Sequence, residues 1–304
     1  MGKNNPLKIL VTGANGFIGH HLCAFLKEKG YFVRGVVRNN ARDASGVDEY
    51  VQIGDIDEST DWQEALDGVD TVIHLAGRVH IKSDSHEGRD SHFLFRKVNV
   101  LGTERLARMA VKAGVKRFIF ASSVKVNGKD AYGISKMEAE QVLASVADET
   151  GLQIVILRLP LVYGPGVKAN FKSLIKLAGC GLPLPFKGIN NRRSFLYVGN
   201  LVDVIVTCIQ HPKAAGETFL LSDGQDVSTP DLIKMIARAM NKKAILFSLH
   251  PGILKALCRI MGKTEELEKL TGTLLVDSSK IRNLLGWKPP WTLEEGIMRT
   301  VKGV

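Results

Sequence analysis

Eight residues, TGANGFIG at 12–19, constrain this 304-residue chain more than any other stretch. Gly13, Gly16 and Gly19 recur every third position between an apolar strand pattern, LKILVTG (7–13), and a helical one, GFIGHHLCAFLKEKG (16–30). Glycine is needed where a chain turns sharply, where backbone approaches a pyrophosphate and where a helix packs directly on a sheet. The following helix N-terminus offers N–H donors and positive partial charge to phosphate. Asn15, Phe17 and Ile18 lie among the glycines and join them as candidate contacts. With a strand before it and a helix after it, the triplet predicts a dinucleotide-binding βαβ unit.

The rest of the first half continues that rhythm. Strand patterns at 31–37, 51–56, 70–77, 117–123 and 152–160 alternate with helical patterns at 61–69, 93–114 and 131–151. Apolar strands separated by helices of this length predict a parallel sheet with helices on both faces, an α/β, Rossmann-type doubly wound fold. After residue 160 the sequence becomes rich in Gly, Pro and charge. The expected organisation is a nucleotide-binding domain over 1–160, with parts of 195–225 returning to it. A smaller, interleaved, mainly substrate-binding lobe occupies 161–304. The apolar helix GILKALCRIM (252–261) is read as a wall of that lobe, with a dimer face or a membrane-surface contact as the other readings.

The end of the second strand bears on the choice of cofactor. An acidic residue there bonds a ribose hydroxyl, whereas arginine grips an added 2′-phosphate. This strand ends VVRNNAR, with Arg38 and Arg42 and no acid before Asp43. NADP(H) is therefore expected, with NAD the other possibility and a plain surface arginine the bland reading of Arg38. Asp55 and Ile56, after the third strand, suit the edge and face of an adenine.

ASSVKVNGKDAYGISK (121–136) brings Ser123, Tyr132 and Lys136 to a strand end and the start of the next helix. Tyr132 and Lys136, four apart, share a helix face. A tyrosine near its ordinary pKa of about 10 is a poor base. A neighbouring Lys136 ammonium would favour the phenolate, so that Tyr132 could exchange a proton with a sugar oxygen held by Ser123.

Composition closes off other classes. No apolar run is long enough to cross a bilayer and no charged-then-apolar leader precedes the first strand, so a cytoplasmic protein without an integral membrane segment is expected. Cys23, Cys180, Cys208 and Cys258 stand singly, which argues against a metal site and a disulfide framework. Net charge is +10, but no basic stripe interleaved with aromatics appears, so no nucleic-acid partner is expected. The histidines at 74, 80, 86 and 92 recur every six residues, a spacing that matches no helix face or ligand pattern.

TGANGFIG, HLAG, NVLGT, ASSVKVNG, YGISK, LRLPLVYGPG and RRSFLYVGNLVD together resemble the extended short-chain dehydrogenase/reductases, in their nucleotide-sugar epimerase/dehydratase/reductase branch. The resemblance covers essentially the whole chain. It implies that Ser123, Tyr132 and Lys136 are catalytic, and that Leu75, Ala76, Gly77 and Asn99 meet the middle of the cofactor. It further implies that Asn170 and Arg193 hold a nucleotide-sugar diphosphate, with LPLPF (182–186), ending in Phe186, beside the nucleobase. Dehydratases of this branch need two acids after the serine. Here Val124 and Lys125 stand instead, which argues against that reaction and leaves Lys125 either touching substrate or facing solvent. Only nine positions separate Ser123 from Tyr132, where relatives carry a longer loop.

The expected function is an NADP(H)-dependent reductase of a nucleotide-bound (UDP) 4-keto-6-deoxy sugar in surface-polysaccharide synthesis. The alternative is an NAD-dependent 4-epimerase of a UDP-hexose or UDP-N-acetylhexosamine, with a non-catalytic nucleotide-binding protein as a third reading. A nucleotide sugar and a homodimer mate are the candidate partners.

Overall fold

The structure, a computed structural model, describes residues 6–38, 45–79, 91–260, 262 and 264–303. Along the chain come β1 (Lys8–Thr12), α1 (Phe17–Glu28), β2 (Phe32–Val37), β3 (Glu49–Gln52), α2 (Gln63–Leu66) and β4 (Thr71–His74). α3 (Ser91–Arg96) runs through a π-helical segment (Lys97–Leu101) into α4 (Gly102–Lys112). β5 (Arg117–Ser123), a 3-10 turn (Val124–Asn127), α5 (Ala131–Thr150) and β6 (Gln153–Leu159) follow. Then come β7 (Leu161–Tyr163), α6 (Ala169–Gly179), β8 (Phe195–Tyr197), α7 (Val198–Gln210) and β9 (Thr218–Leu220). The last helices are α8 (Thr229–Ala239), α9 (Pro251–Ile260), α10 (Thr264–Thr271), α11 (Ser279–Leu285) and α12 (Leu293–Lys302).

Two compact units divide the chain: 1–159, 202–220 and 279–287 form the first, and 160–201, 221–278 and 288–304 the second. Helix α11 groups with the first unit although it lies far along the chain. The first unit carries a seven-stranded sheet in the order β3-β2-β1-β4-β5-β6-β9, with every pairing parallel. This is the doubly wound Rossmann-type fold. Its strand order reverses direction between β1 and β4, the switch point beside which such sheets bind ligands.

The strands are apolar on both faces because helices cover both. Leu10, Val72, Phe118 and Phe120 from the sheet pack with Leu106, Ala110, Ala139 and Leu143 from α4 and α5. Burying each of these leucine, valine and phenylalanine side chains stabilises the fold by about 1.5–3 kcal/mol. Two buried arginines gather carbonyl oxygens at helix C-termini. Arg34 Nη1 donates to the carbonyls of Glu64, Ala65 and Asp67 at the end of α2. Arg117 Nη1 donates to those of Cys208, Ile209 and His211 at the end of α7.

Three elements differ from the sequence expectation. The third strand spans Glu49–Gln52, not 51–56, so Asp55 and Ile56 stand in the loop beyond it. The second helix is reduced from 61–69 to Gln63–Leu66. The long helix of 93–114 is interrupted by the π-helical segment, which carries buried Asn99.

The second unit pairs β7 with β8 in parallel. Beside them Asp223 is a buried carboxylate satisfied by the Tyr163 hydroxyl, the Tyr197 N–H and the Asn200 amide. Burial raises its pKa, which these hydrogen bonds oppose.

Candidate functional site

The glycine turn leaves no room for side chains. Gly13 takes φ +69°, and a Cβ there would lie 3.1 Å from the Ala76 nitrogen. A Cβ on Gly19 would overlap the Gly13 carbonyl oxygen and approach the Ala14 Cα to 2.8 Å. The turn closes through the Gly16 N–H, which donates to the Gly13 carbonyl at 2.9 Å. Asn15 is exposed while Phe17 and Ile18 are half-buried at the first turn of α1. A bare backbone rim at a helix N-terminus fits a dinucleotide pyrophosphate.

A buried chain of hydrogen bonds fixes the strand ends around this turn. Thr12 Oγ1 lies 2.7 Å from His74 Nδ1, and His74 Nε2 lies 3.0 Å from Thr103 Oγ1. Thr103 gives its proton to the Asn99 carbonyl at 2.8 Å, so it accepts from His74 Nε2–H. Thr12 in turn accepts the Ala76 N–H at 3.1 Å and donates to Nδ1. The network therefore assigns a neutral His74 protonated on Nε2. Burial, and next the Lys136 charge, push the His74 pKa down to about 3, in keeping with that form. Asn99 extends the chain: its amide nitrogen donates to the Arg78 carbonyl and to Ser135 Oγ, both at 3.0 Å, and its amide oxygen accepts the Arg78 N–H at 2.8 Å. Ser135 donates to the Tyr132 carbonyl at 2.8 Å. The six-residue recurrence of histidines carried no information about this role. The signal in the sequence was HLAG at the end of a strand.

The last three residues of β5 each grip one residue on a single face of α5. Ser123 stands near enough to the Tyr132 phenol to pull its pKa down, the Ala121 carbonyl accepts Lys136 Nζ at 2.8 Å, and Ser122 Oγ donates to Glu140 Oε1 at 2.5 Å. Tyr132, Lys136 and Glu140 are spaced by four, one helical turn apiece. Glu140 is locked by a bidentate Arg158, with contacts of 2.6–3.2 Å. Sequence reading missed Glu140, although its spacing from Tyr132 and Lys136 was there to see. The short loop closes without strain. Ser123 caps the 3-10 turn by accepting the Lys125 N–H at 3.2 Å, and Asp130 caps α5 by accepting the Gly133 N–H at 2.8 Å. A Cβ on Gly133 would overlap the Lys125 carbonyl, so the tight return requires glycine after Tyr132.

Electrostatics at the pair differ from the sequence expectation. Burial lowers the Lys136 pKa to about 8, opposed by the Glu140 charge. Tyr132 is raised, first by burial and then by the Asp130 charge, with the nearby Ser123 hydroxyl pulling down. Lys136 does not act as the phenol's acidifying neighbour here because its ammonium turns to Ala121 and lies 4.4 Å from the Phe120 ring centre. A Cβ on Gly77 would come within 3.1 Å of Asn99 Oδ1 and 3.5 Å of Lys136 Nζ, so Gly77 leaves this floor open. Leu75, the remaining residue of that trio, is half-buried just beyond β4.

Arg38 Nε pairs with Asp55 Oδ1 at 3.1 Å, with both side chains mostly exposed. The acid absent from the sequence next to Arg38 is thus supplied in space by Asp55. Ile56 packs partly against the core. Arg42 lies outside the described residues. Lys125 is exposed and pairs with Asp130 at 3.4 Å. In the second unit, Phe186 is buried and Arg193 Nη1 donates to the Gly272 carbonyl at 2.9 Å. Asn170 falls on α6, and its side chain lies outside what the structure describes. A cavity of about 420 Å³ in that unit is lined by Asn191, Leu254, Lys255 and Leu267, and by none of the three expected substrate residues.

The family model described as "NAD dependent epimerase/dehydratase family" matches residues 9–222. A UDP-glucose 4-epimerase of Vibrio cholerae is 42% identical over 99% of this chain and 96% of its own. An N-acetyl-alpha-D-glucosaminyl-diphospho-ditrans,octacis-undecaprenol 4-epimerase of Escherichia coli O157:H7 is 28% identical, covering 97% and 94%. Among solved structures, the UDP-glucuronic acid 4-epimerase of Bacillus cereus in complex with NAD superimposes with a TM-score of 0.76. It is 25% identical, with 98% and 96% coverage. The expected preference for NADP(H) is not supported: the solved relative carries NAD, and the Arg38 guanidinium is already committed to a carboxylate that a 2′-phosphate would oppose.

Proposed function

The chain belongs to the NAD dependent epimerase/dehydratase family, within the extended short-chain dehydrogenase/reductases, and from that premise we propose that it is an NAD-dependent 4-epimerase of a UDP-hexose or UDP-N-acetylhexosamine. This reading takes the place of the 4-keto-sugar reductase expected from sequence. Its support is the rung pattern that sets Ser123, Tyr132 and Lys136 together, in a chain whose Vibrio relative is named a 4-epimerase.

The glycine rim at Gly13, Gly16 and Gly19 would hold the pyrophosphate, Asp55 the adenosine ribose, and Lys136 with Asn99 the nicotinamide half. Bound there, the nicotinamide supplies reversible two-electron oxidation of the sugar C4 alcohol. The exchange requires Tyr132 as phenolate, the form that the positive charge of a bound oxidised nicotinamide and of protonated Lys136 would favour; its Oη would then take the C4 hydroxyl proton as the alcohol becomes a ketone, and return it after the sugar has presented its other face. Ser123 Oγ donates a hydrogen bond to that oxygen in both directions and fixes its place beside the phenol. Lys136, held by Ala121, contributes positive charge to the floor when protonated. With Val124 and Lys125 in place of two acids, no side chain after Ser123 is equipped to eliminate water from the sugar. We assign Arg193 and Asn170 to the diphosphate and Phe186 to the nucleobase.

Denaturing the purified protein and identifying any released nucleotide tests the cofactor part of this reading. An epimerase regenerates its cofactor within each turnover and releases stoichiometric NAD. Release of NADP(H) in its place would overturn the assignment.

A further inference from the structure

Glu140 has no task in the proposed chemistry, yet it is tied into the same face of α5 as Tyr132 and Lys136. It is 7% exposed, and its carboxylate accepts from Ser122 Oγ at 2.5 Å and from Arg158 Nε and Nη2 at 2.6–3.2 Å. Ser122 and Arg158 stand opposite each other in the register of β5 and β6, so one carboxylate joins α5 to both strands. A buried ion pair adds little stability over well-packed apolar residues of similar volume. The value of this one lies in where it sets a negative charge.

The position of the carboxylate has two consequences. Ser122 lies between Ala121, whose carbonyl accepts Lys136 Nζ at 2.8 Å, and Ser123, so holding Ser122 fixes both neighbours. Side chains four apart on a helix come together, which brings the Glu140 charge beside the Lys136 ammonium. The other groups around that ammonium supply no negative charge. They are the Phe120 ring on β5, neutral His74 on β4, Asn99 from the π-helical segment and the Tyr132 phenol on α5. Arg158 on β6 is positive and paired with Glu140. Asp130, capping α5, acts on Tyr132. Among the described residues, Glu140 is the carboxylate that opposes the effect of burial on Lys136.

We propose that Glu140 is a positioning residue of the epimerase site: it holds Lys136 in its ammonium form and fixes the end of β5 that carries Ala121 and Ser123. Through Lys136 it favours the Tyr132 phenolate that takes the sugar proton. Its effect on turnover rests on the epimerase reading; its effect on the charge of Lys136 is measured without substrate.

The test reads Lys136 and turnover separately. Carbon-13 NMR of lysine-labelled protein follows the titration of Lys136, with its signal assigned by its loss in Lys136→Met. Glu140→Gln keeps the shape and an acceptor for Ser122, and should lower the Lys136 midpoint by about one pH unit or more. Arg158→Gln, at a half-buried site, leaves Glu140 unopposed and should move the midpoint up. With a UDP-hexose, kcat of Glu140→Gln should fall about tenfold at pH 8.5 and return to within about twofold of wild type at pH 6.5, with KM little changed. Glu140→Asp, which keeps the charge, should restore part of the activity at pH 8.5. A purely structural tie would lower kcat equally at every pH and leave the midpoint in place, and that result overturns the proposal. If circular dichroism shows that Glu140→Gln does not fold, an unmoved midpoint in Arg158→Gln overturns it alone. Midpoints that move as stated in a protein that forms no epimer remove the epimerase reading and leave Glu140 as the residue that holds the lysine charged.

Discussion

Lys136 Nζ donates to the Ala121 carbonyl at 2.8 Å, and it is the only ammonium on the face of α5 that meets the end of β5. Burial brings its pKa to about 8, against 10.5 for an unperturbed lysine. Between those values the unfolded chain holds a proton that the folded chain has released, so stability rises with pH across that window. Wild-type protein should gain about 3 kcal/mol over Lys136→Met between pH 7 and pH 10.5. Urea unfolding of both proteins at the two pH values measures it; parallel pH dependences would show that Lys136 is not titrating in the folded state.

Tyr132→Phe should leave the fold intact, since among the described contacts its hydroxyl meets only Ser123. Turnover should fall by about 10³ or more, as expected for removal of a positioned proton carrier, and Ser123→Ala by about 10². Far-ultraviolet circular dichroism beside steady-state rates separates lost chemistry from lost structure. Full activity in Tyr132→Phe would remove the proposed proton path.

His74 is neutral within the Thr12–Thr103 pair, with a pKa near 3 against 6.5 for a free histidine. Its burial therefore costs nothing above pH 6.5 and progressively more below it, as the unfolded chain takes up a proton that the folded one refuses. At pH 5 the wild type should lose about 2 kcal/mol relative to its own stability at pH 7 from this group. In His74→Gln, already weakened at pH 7 by about 1–3 kcal/mol through unpaired threonines, that component should vanish. Thermal or urea unfolding at both pH values reads the difference in slope.

The Arg38–Asp55 pair predicts which dinucleotide is preferred. Wild-type protein freed of nucleotide should bind NAD more tightly than NADP. Asp55→Asn should improve NADP binding about tenfold by releasing the guanidinium and removing a repelling charge. Fluorescence titration with each dinucleotide gives both affinities. A wild type that already prefers NADP would contradict the reading of the pair.

The parallel sheet and its glycine turn were legible because they depend on local signals: apolar runs, glycine spacing and helix stops. Tyr132 and Lys136 were legible for a similar reason, as spacing by four already implies a shared face. Arg38 misled because its partner, Asp55, lies beyond a separate strand and only the fold brings the two together. His74 and Thr103 belong to elements 29 residues apart, and their roles depend on which proton each hydroxyl has left to give. The π-helical interruption at Asn99 left no mark in a helix-like apolar pattern, since one widened turn barely disturbs the period.

The most direct test of the central claim is to incubate the protein with a UDP-hexose or UDP-N-acetylhexosamine, without added reductant, and to resolve the 4-epimers by chromatography. The account predicts an equilibrium mixture of both epimers with no net consumption of dinucleotide, lost in Tyr132→Phe. No epimer formed, together with stoichiometric oxidation of NADPH on a 4-keto nucleotide sugar, would contradict it.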